Sequence, residues 1–213
     1  MSTKNTDQTP KTRKEQKLEK KINDFLSAAC KEFSRKGFYG ASLDSITSRL
    51  LLSPKSIYNY FESKTDLYLS CLHFTLDEVQ AIIKNQQEKH SNHLTMLVNG
   101  VLEVFLNIPH AKIIINTSED FTLNADNYLS ENEQQKLKDY LSKRDSLWNE
   151  LDSIFKNGKD KGEIYFDEHI NKDLLIATLF SFFIDIDRLN KPKVTDQEYS
   201  IFVEKTLLRI FAP

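Results

Sequence analysis

Three serines, Ser42, Ser53 and Ser63, each stand immediately before a short run of residues with helical apolar spacing. A serine at such a position accepts a backbone N–H of the first turn, so each one marks a helix start. The starts lie so close together that the first two helices span barely two turns. Ahead of them, Ile22, Phe25, Leu26, Ala29 and Phe33 fall on one face of a helix that Gly37 ends after Lys36. A chain punctuated in this way has little choice but to fold residues 21–66 as a compact set of short helices.

Each element is capped and oriented by its own residues. Ser42 caps a helix with Asp44 in its first turn and Leu43, Ile46 and Leu50 inward. Ser53 caps the next one and Pro54 takes N1, where a missing N–H costs nothing. Leu52 at N′ and Ile57 at N4 form a hydrophobic staple, and Ile57 and Phe61 share the inner face. Ser63 caps a longer helix with Asp66 at N3, running to about Lys89, roughly 36 Å at about 1.5 Å per residue.

The remaining chain reads as helices near 93–107, 109–117, 124–157, 169–190 and 195–211, with KNGKDKGEI at 156–164 as a loop and Asn190-Lys191-Pro192 as a break. Gly 5 and Pro 5 are few for 213 residues, and no sustained alternation suggests strands, so the fold class is all-α. Residues 1–20 are polar and Lys-rich with no apolar period and read as a disordered basic arm. The longest apolar stretch, LLIATLFSFFI at 174–184, is too short to span a bilayer of roughly 30 Å. No signal peptide is readable. Cys30 and Cys71 sit in apolar helical patterns as buried free thiols, which fits a reducing cytoplasm.

Charge divides the chain. Residues 1–68 carry 13 Lys and Arg against 8 Asp and Glu, and the rest carries 16 against 23. A basic first third on an acidic body points to a polyanion at the first third. The helix at 53–61 fits that partner. With Leu52, Ile57 and Phe61 inward, Lys55, Ser56 and Asn59 project outward and Tyr58 and Tyr60 flank them. A cation, a hydroxyl, an amide and two phenols can hold phosphates and base edges. A short helix following another across a tight turn is the helix-turn-helix layout, whose second helix enters the major groove.

From Ile22 to Leu67 the residues resemble the N-terminal domain of the TetR/AcrR family of bacterial transcriptional regulators. The matching positions are Ala28-Ala29, Phe33, Gly37-Phe38, Ala41-Ser42-Leu43, Ile46, the run Ser53-Pro54-Lys55-Ser56-Ile57-Tyr58-Asn59-Tyr60-Phe61, Ser63-Lys64 and Leu67. The resemblance implies an N-terminal three-helix helix-turn-helix domain at 21–66, followed by a larger helical effector-binding and dimerisation domain at 67–213. It implies base contacts from Lys55, Ser56 and Asn59, and phosphate contacts from Ser42, Ser53, Tyr58, Tyr60 and Lys64. The match departs from the family at Leu51, in the triplet Leu50-Leu51-Leu52, where the family usually has Gly. A left-handed leucine there costs on the order of 1 to 2 kcal/mol.

A unit this small reads one half-site, so a symmetric homodimer on a double-stranded palindromic operator is expected. The resemblance places the dimer interface on the last two helices, at Leu175, Leu179, Phe182, Phe183, Phe202, Leu207 and Ile210. It also implies a small-molecule pocket in the body. Compositionally, Phe74, Phe105, Phe121, Trp148, Phe155 and Phe180 supply apolar surface, with His73, His110 and Asn116 as polar anchors, which suits a small hydrophobic effector.

Catalysis finds no pattern: no nucleophile elbow, Gly-rich phosphate loop or paired-Cys motif is present. His90 and His93 have i, i+3 spacing at a helix junction without a third ligand, so no metal and no cofactor are expected. The reading is a cytoplasmic repressor with no membrane partner, released by its effector. Two alternatives stay open: control by a protein partner with no inducer, and an enzyme or ligand carrier with an incidental helix-turn-helix.

Overall fold

A computed structural model of the protein describes residues 12–111, 113, 129–166 and 195–213. Among them every regular element is helical. The fold is all-α, a small N-terminal helical unit joined to a larger helical body.

Helix α1, Arg13–Gly40, begins well before the apolar periodicity does. The Thr12 hydroxyl accepts the Glu15 N–H at 3.3 Å, and the Glu15 carboxylate accepts the Thr12 N–H at 2.7 Å. This capping box, followed by Lys, Glu, Gln and Leu with high helix propensity, winds residues 13–20 without any burial. Those residues are therefore two turns of helix and not part of an arm; residues 1–11 lie outside the described residues. Gly37, at φ 70° and ψ 176°, interrupts α1 where the sequence expects a stop.

Helix α2, Leu43–Arg49, starts at Ser42, whose hydroxyl accepts the Ser45 N–H at 3.5 Å. A 3₁₀ helix, η1, occupies Pro54–Asn59. Helix α3, Lys64–Lys89, is the spine of the molecule. Its first half packs on α1 through the edge of Phe33 against Tyr68 at 4.9 Å and through Cys30 and Cys71, both fully buried free thiols. Burial, aided by the Cys30 thiol beside it, pushes the Cys71 thiol well above its ordinary value.

The body adds α4, His93–Asn107, and α5, Glu131–Asp160, both packed on α3, and α6, Asp196–Phe211, packed on α4. Ser130 and Glu133 form a capping box that starts α5 at 131, later than the 124 expected from periodicity. The same helix continues to Asp160, through half of the stretch that the sequence suggests is a loop. Gly158 permits this: a Cβ there would lie 2.5 Å from Ile164 Cδ1 and 2.8 Å from His93 Cβ. The turn comes instead at Gly162, at φ 70°. Glu163 then accepts the His93 backbone N–H at 2.8 Å and takes its ring Nδ1–H at 2.6 Å, capping α4 from outside. Those two bonds hold the Glu163 carboxyl below the usual carboxylate range.

The expected helix at 169–190 lies outside the described residues, as does most of 109–117, whose first three residues form a turn.

Candidate nucleic-acid interface

The end of α2 sets the position of everything that follows. The Leu52 N–H donates to the Thr47 carbonyl at 3.0 Å, and the Leu51 N–H to the Ser48 carbonyl at 3.1 Å. This pair of bonds is a Schellman closure, which needs a left-handed residue between the helix end and its closing donor. That residue is Leu51, at φ 56°, the one non-glycine residue with positive φ among the described residues. Its side chain is 94% exposed, so packing does not offset the strain. The satisfied carbonyls and the partly buried Leu50 and Leu52 on either side hold the turn.

Beyond the turn, η1 differs from the expected capped α-helix. The Ser53 hydroxyl makes no capping bond. Its carbonyl instead receives the Ser56 N–H at 3.0 Å and the Ser56 hydroxyl. Tyr60 N–H closes on the Ile57 carbonyl at 3.0 Å, keeping i to i+3 bonding to the end. Ile57 and Phe61 are buried as the sequence expects, and each such burial stabilises the unit by about 1.5 to 3 kcal/mol.

The outward residues then sort themselves. Lys55, Asn59 and Tyr58 face solvent, Tyr58 being 55% exposed, and Ser42 and Ser53 are exposed too. Ser56 is half-buried with its O–H committed to Ser53, which leaves its oxygen as an acceptor. Tyr60 leans on Phe25 at 5.3 Å, with the Lys21 ammonium 5.5 Å above its ring. Its ring is a packing element as much as an outward group. The Lys64 ammonium lies 5.0 Å above the Phe38 ring, and burial lowers its pKa.

Two anchoring clusters escape a pattern-based reading. Glu32 is fully buried on α1, with Lys36 at 2.6 Å, Arg49 at 3.1 Å and Arg35 at 3.3 Å. Its signal in the sequence is a carboxylate beside Phe33 on the apolar face, with cations at i+3 and i+4. The second cluster joins the starts of α3 and α5: Ser63 donates to Glu133, and Lys136 donates to Asp66. Asp66 also accepts the Glu62 N–H at 2.9 Å, and no local spacing reveals this long-range set.

In the body, a cavity of about 50 Å³ lies between Val79, Ile83 and Gln86 of α3, Met96, Leu97, Gly100, Val101 and Val104 of α4, and Leu151 and Ile154 of α5. The residues expected to line a pocket lie elsewhere. His73 donates from Nε2 to the Lys136 carbonyl at 2.9 Å. Phe74 stacks on His110 at 6.4 Å, and His110 Nε2 stands 3.0 Å from Glu78. Phe155 meets the edge of Phe211 at 5.4 Å, while Phe105 and Trp148 are partly buried against the core. Asn116, Phe121 and Phe180 lie outside the described residues.

Of the residues expected at a dimer interface, Leu175, Leu179, Phe182 and Phe183 also lie outside the described residues. Phe202 is 58% exposed and Ile210 is exposed too, but Leu207 is 1% exposed and belongs to the core of its own chain. It shares the inward face of α6 with Val203 and Phe211, about 140° around the helix from Phe202. His90 and His93 point to different partners, Asn99 and Glu163. Among the described residues no group of three His, Cys, Asp or Glu could hold a metal, and no helix is long and apolar enough to cross a membrane.

Residues 25–71 match the model of the bacterial regulatory proteins of the tetR family. A 97-residue stretch is 29% identical to the biofilm operon icaADBC HTH-type negative transcriptional regulator IcaR of Staphylococcus aureus strain Newman, covering 43% of this chain and 52% of that protein. The chain thus spans about half the length of the curated relatives it matches. Among solved structures it resembles a TetR-family transcriptional regulator from Agrobacterium tumefaciens, at TM-score 0.66 and 18% identity over 91% of this chain and 99% of that one. It also resembles the ketosteroid transcriptional regulator KstR2 of Mycobacterium tuberculosis, at TM-score 0.60 and 17% identity over 91% and 95%. At such identities the likeness is one of fold.

Proposed function

We propose that this chain is a TetR-family DNA-binding transcriptional regulator, working as a cytoplasmic homodimeric repressor released from a palindromic operator by a small apolar effector. The observation that carries the reading is η1. It is pinned from behind by Ile57 and Phe61 and presents Lys55, Tyr58 and Asn59 to solvent beside the basic α1. Lys55 and Asn59 would read base edges, Lys55 suiting guanine O6 and N7 and Asn59 suiting adenine N6 and N7. Ser56 would join them as an acceptor. Ser42, Ser53, Tyr58, Tyr60 and Lys64 would meet phosphates, Lys64 by swinging off Phe38.

The outward face of α6, with Ile201, Phe202, Leu208 and Ile210 exposed, supports dimerisation. The cavity supports an effector, because one of its walls is the far end of α3, whose near end carries Ser63 and Asp66 beside η1. An effector that prefers one placement of α3 shifts the population between operator-binding and non-binding spacings of the two recognition helices. The IcaR relative is a negative regulator by name, in line with repression.

Selection of genomic fragments bound by the purified full-length protein tests the proposal. A palindromic consensus, with affinity falling steeply as salt rises, is the expected result. No enrichment of any sequence at low salt would refute it.

A further inference from the structure

Helix α1 runs for more than two turns before it meets the rest of the molecule. Residues 13–21 are all exposed, Ile22 is the first partly buried residue and Phe25 the first buried one. A helix that buries nothing depends on its cap and on side-chain pairs at i, i+3 and i, i+4. Within 13–21 those pairs work against it. Arg13–Lys17, Lys14–Lys17, Lys17–Lys20 and Lys17–Lys21 join cations, Glu15–Glu19 joins anions, and no pair of opposite sign stands at either spacing. Arg13 and Lys14, in the first turn, also oppose the helix dipole. A merely solvated helix end gains nothing from such a pattern.

The charges are sorted by face as well. At about 100° per residue, Lys14, Lys17 and Lys21 fall within about 60° of one another, with Arg13 and Lys20 at the border. Glu15 and Glu19 lie roughly 100° or more away. Asp24 is spaced to pair with Lys20 and Lys21 only, so Lys14 and Lys17 carry the outer part of the stripe alone.

This cationic face is continuous with the recognition unit. The Lys21 ammonium lies 5.5 Å above the ring of Tyr60, the residue that follows η1, and Tyr60 rests on Phe25 at 5.3 Å. From Lys21 the stripe runs through Lys17 to Lys14, about 10 Å along the helix axis. A duplex seated on η1 carries one negative charge per about 1.7 Å of its own axis, so cations that prolong the interface meet further phosphates.

We infer that Lys14, Lys17 and Lys21 form a second contact with the operator duplex, neutralising phosphates next to those that Tyr60 would meet and reading no bases. The inference rests on the proposed DNA binding and adds a binding surface to it. Phosphates on the stripe relieve the repulsion among its lysines, so the DNA stabilises the stretch of helix that holds it.

The test compares the full-length protein with Lys14→Ala/Lys17→Ala and with Lys84→Ala/Lys89→Ala, which removes the same charge from exposed positions on the far half of α3. Each is titrated over a salt series on the selected operator and on a mismatched duplex. Lys14→Ala/Lys17→Ala should make the log–log slope shallower by about two per subunit, equally on both duplexes, and Lys84→Ala/Lys89→Ala should leave it unchanged. The Tm of the free Lys14→Ala/Lys17→Ala protein should hold or rise, because alanine removes like-charged pairs and favours helix. A slope equal to that of the wild type, an equal change in both double variants, or a loss confined to the matched operator would overturn the inference. A lower Tm with an unchanged slope would assign the two lysines to the fold and overturn it too.

Lys55→Ala, measured in parallel, separates this contact from the wider reading. Altered base preference in Lys55→Ala beside a wild-type slope in Lys14→Ala/Lys17→Ala would remove the second contact and keep η1 as the reader. A wild-type protein that binds no duplex at low salt would remove both.

Discussion

Arg49 Nη2 stands 3.1 Å from Glu32 Oε2, so one buried carboxylate in α1 holds the last turn of α2. Burial pushes the Glu32 carboxyl up, and hydrogen bonds from Lys36, Arg35 and Ser45 more than reverse this, leaving it below its ordinary value of 4.5. A depressed folded-state pKa gives stability that is present above the unfolded value and lost as pH falls through the folded one. Glu32→Gln should therefore lose about 2 kcal/mol at neutral pH, less than a wholly buried pair because the cations are partly exposed. Urea unfolding at a series of pH values should show the gap closing below the carboxylate range. A gap independent of pH would assign the cost to packing alone.

Leu51 offers the opposite change. Glycine at φ 56° relieves the left-handed penalty and removes an exposed leucine. Leu51→Gly should add about 1 kcal/mol, which raises Tm by roughly 2 to 4 °C in a chain of this size. A lower Tm would mean that the side chain makes a contact worth more than the strain.

On DNA, Lys55→Ala and Asn59→Ala should each cost about 1 to 3 kcal/mol on the selected operator and relax the preference at one base position per half-site. Lys64→Ala should weaken all sequences alike and make the salt slope shallower, by about one in log–log terms per subunit. Titrations at several salt concentrations on matched and mismatched operators distinguish the two patterns. A slope unchanged by Lys64→Ala would leave that ammonium over Phe38 in the complex.

The junction between α3 and α5 can be measured as a coupling. Ser63→Ala and Glu133→Ala each remove one side of the same hydrogen bond. Their effects on unfolding free energy should be non-additive by about 1 kcal/mol in a double-mutant cycle. Strict additivity would show the contact to be energetically idle.

Phe202 and Leu207 separate dimerisation from folding. Phe202→Asp, on the exposed side of α6, should lower the sedimenting mass to that of a monomer while circular dichroism keeps its helical signal. Leu207→Ala, on the buried side, should cost about 2 to 5 kcal/mol of stability and leave association intact in the folded fraction. A dimeric Phe202→Asp protein would move the interface off this face.

The short helices were readable because their signals are local: Ser42, Ser53 and Ser63 each precede a run of a few residues, and Ile57 and Phe61 lie one turn apart. Leu51 was identifiable as the awkward residue only through the family resemblance, which puts Gly at its position. The early start of α1 was missed because charged residues of high propensity form helix without an apolar stripe. The length of α5 was missed because Gly158 looks like a breaker until Ile164 and His93 are seen packed on it. The cavity was missed for a different reason. Bulk aromatic content says nothing about where three aliphatic helices leave a gap, and Gly100 and Gln86 are fourteen positions apart on separate helices.

The 3₁₀ winding of η1 fixes the azimuth of its side chains. With three residues per turn, residues three apart eclipse, so Lys55 stands in line with Tyr58, and Ser56 with Asn59. The outward surface is thus two parallel ridges, cation with phenol and hydroxyl with amide, in place of the slow spiral an α-helix would give. Rewinding the segment to 3.6 residues per turn would swing Asn59 by about 60° relative to Ser56. The angle between amide and hydroxyl, and with it which neighbouring bases one half-site can address together, depends on the Tyr60 N–H staying on Ile57 and not moving to Ser56.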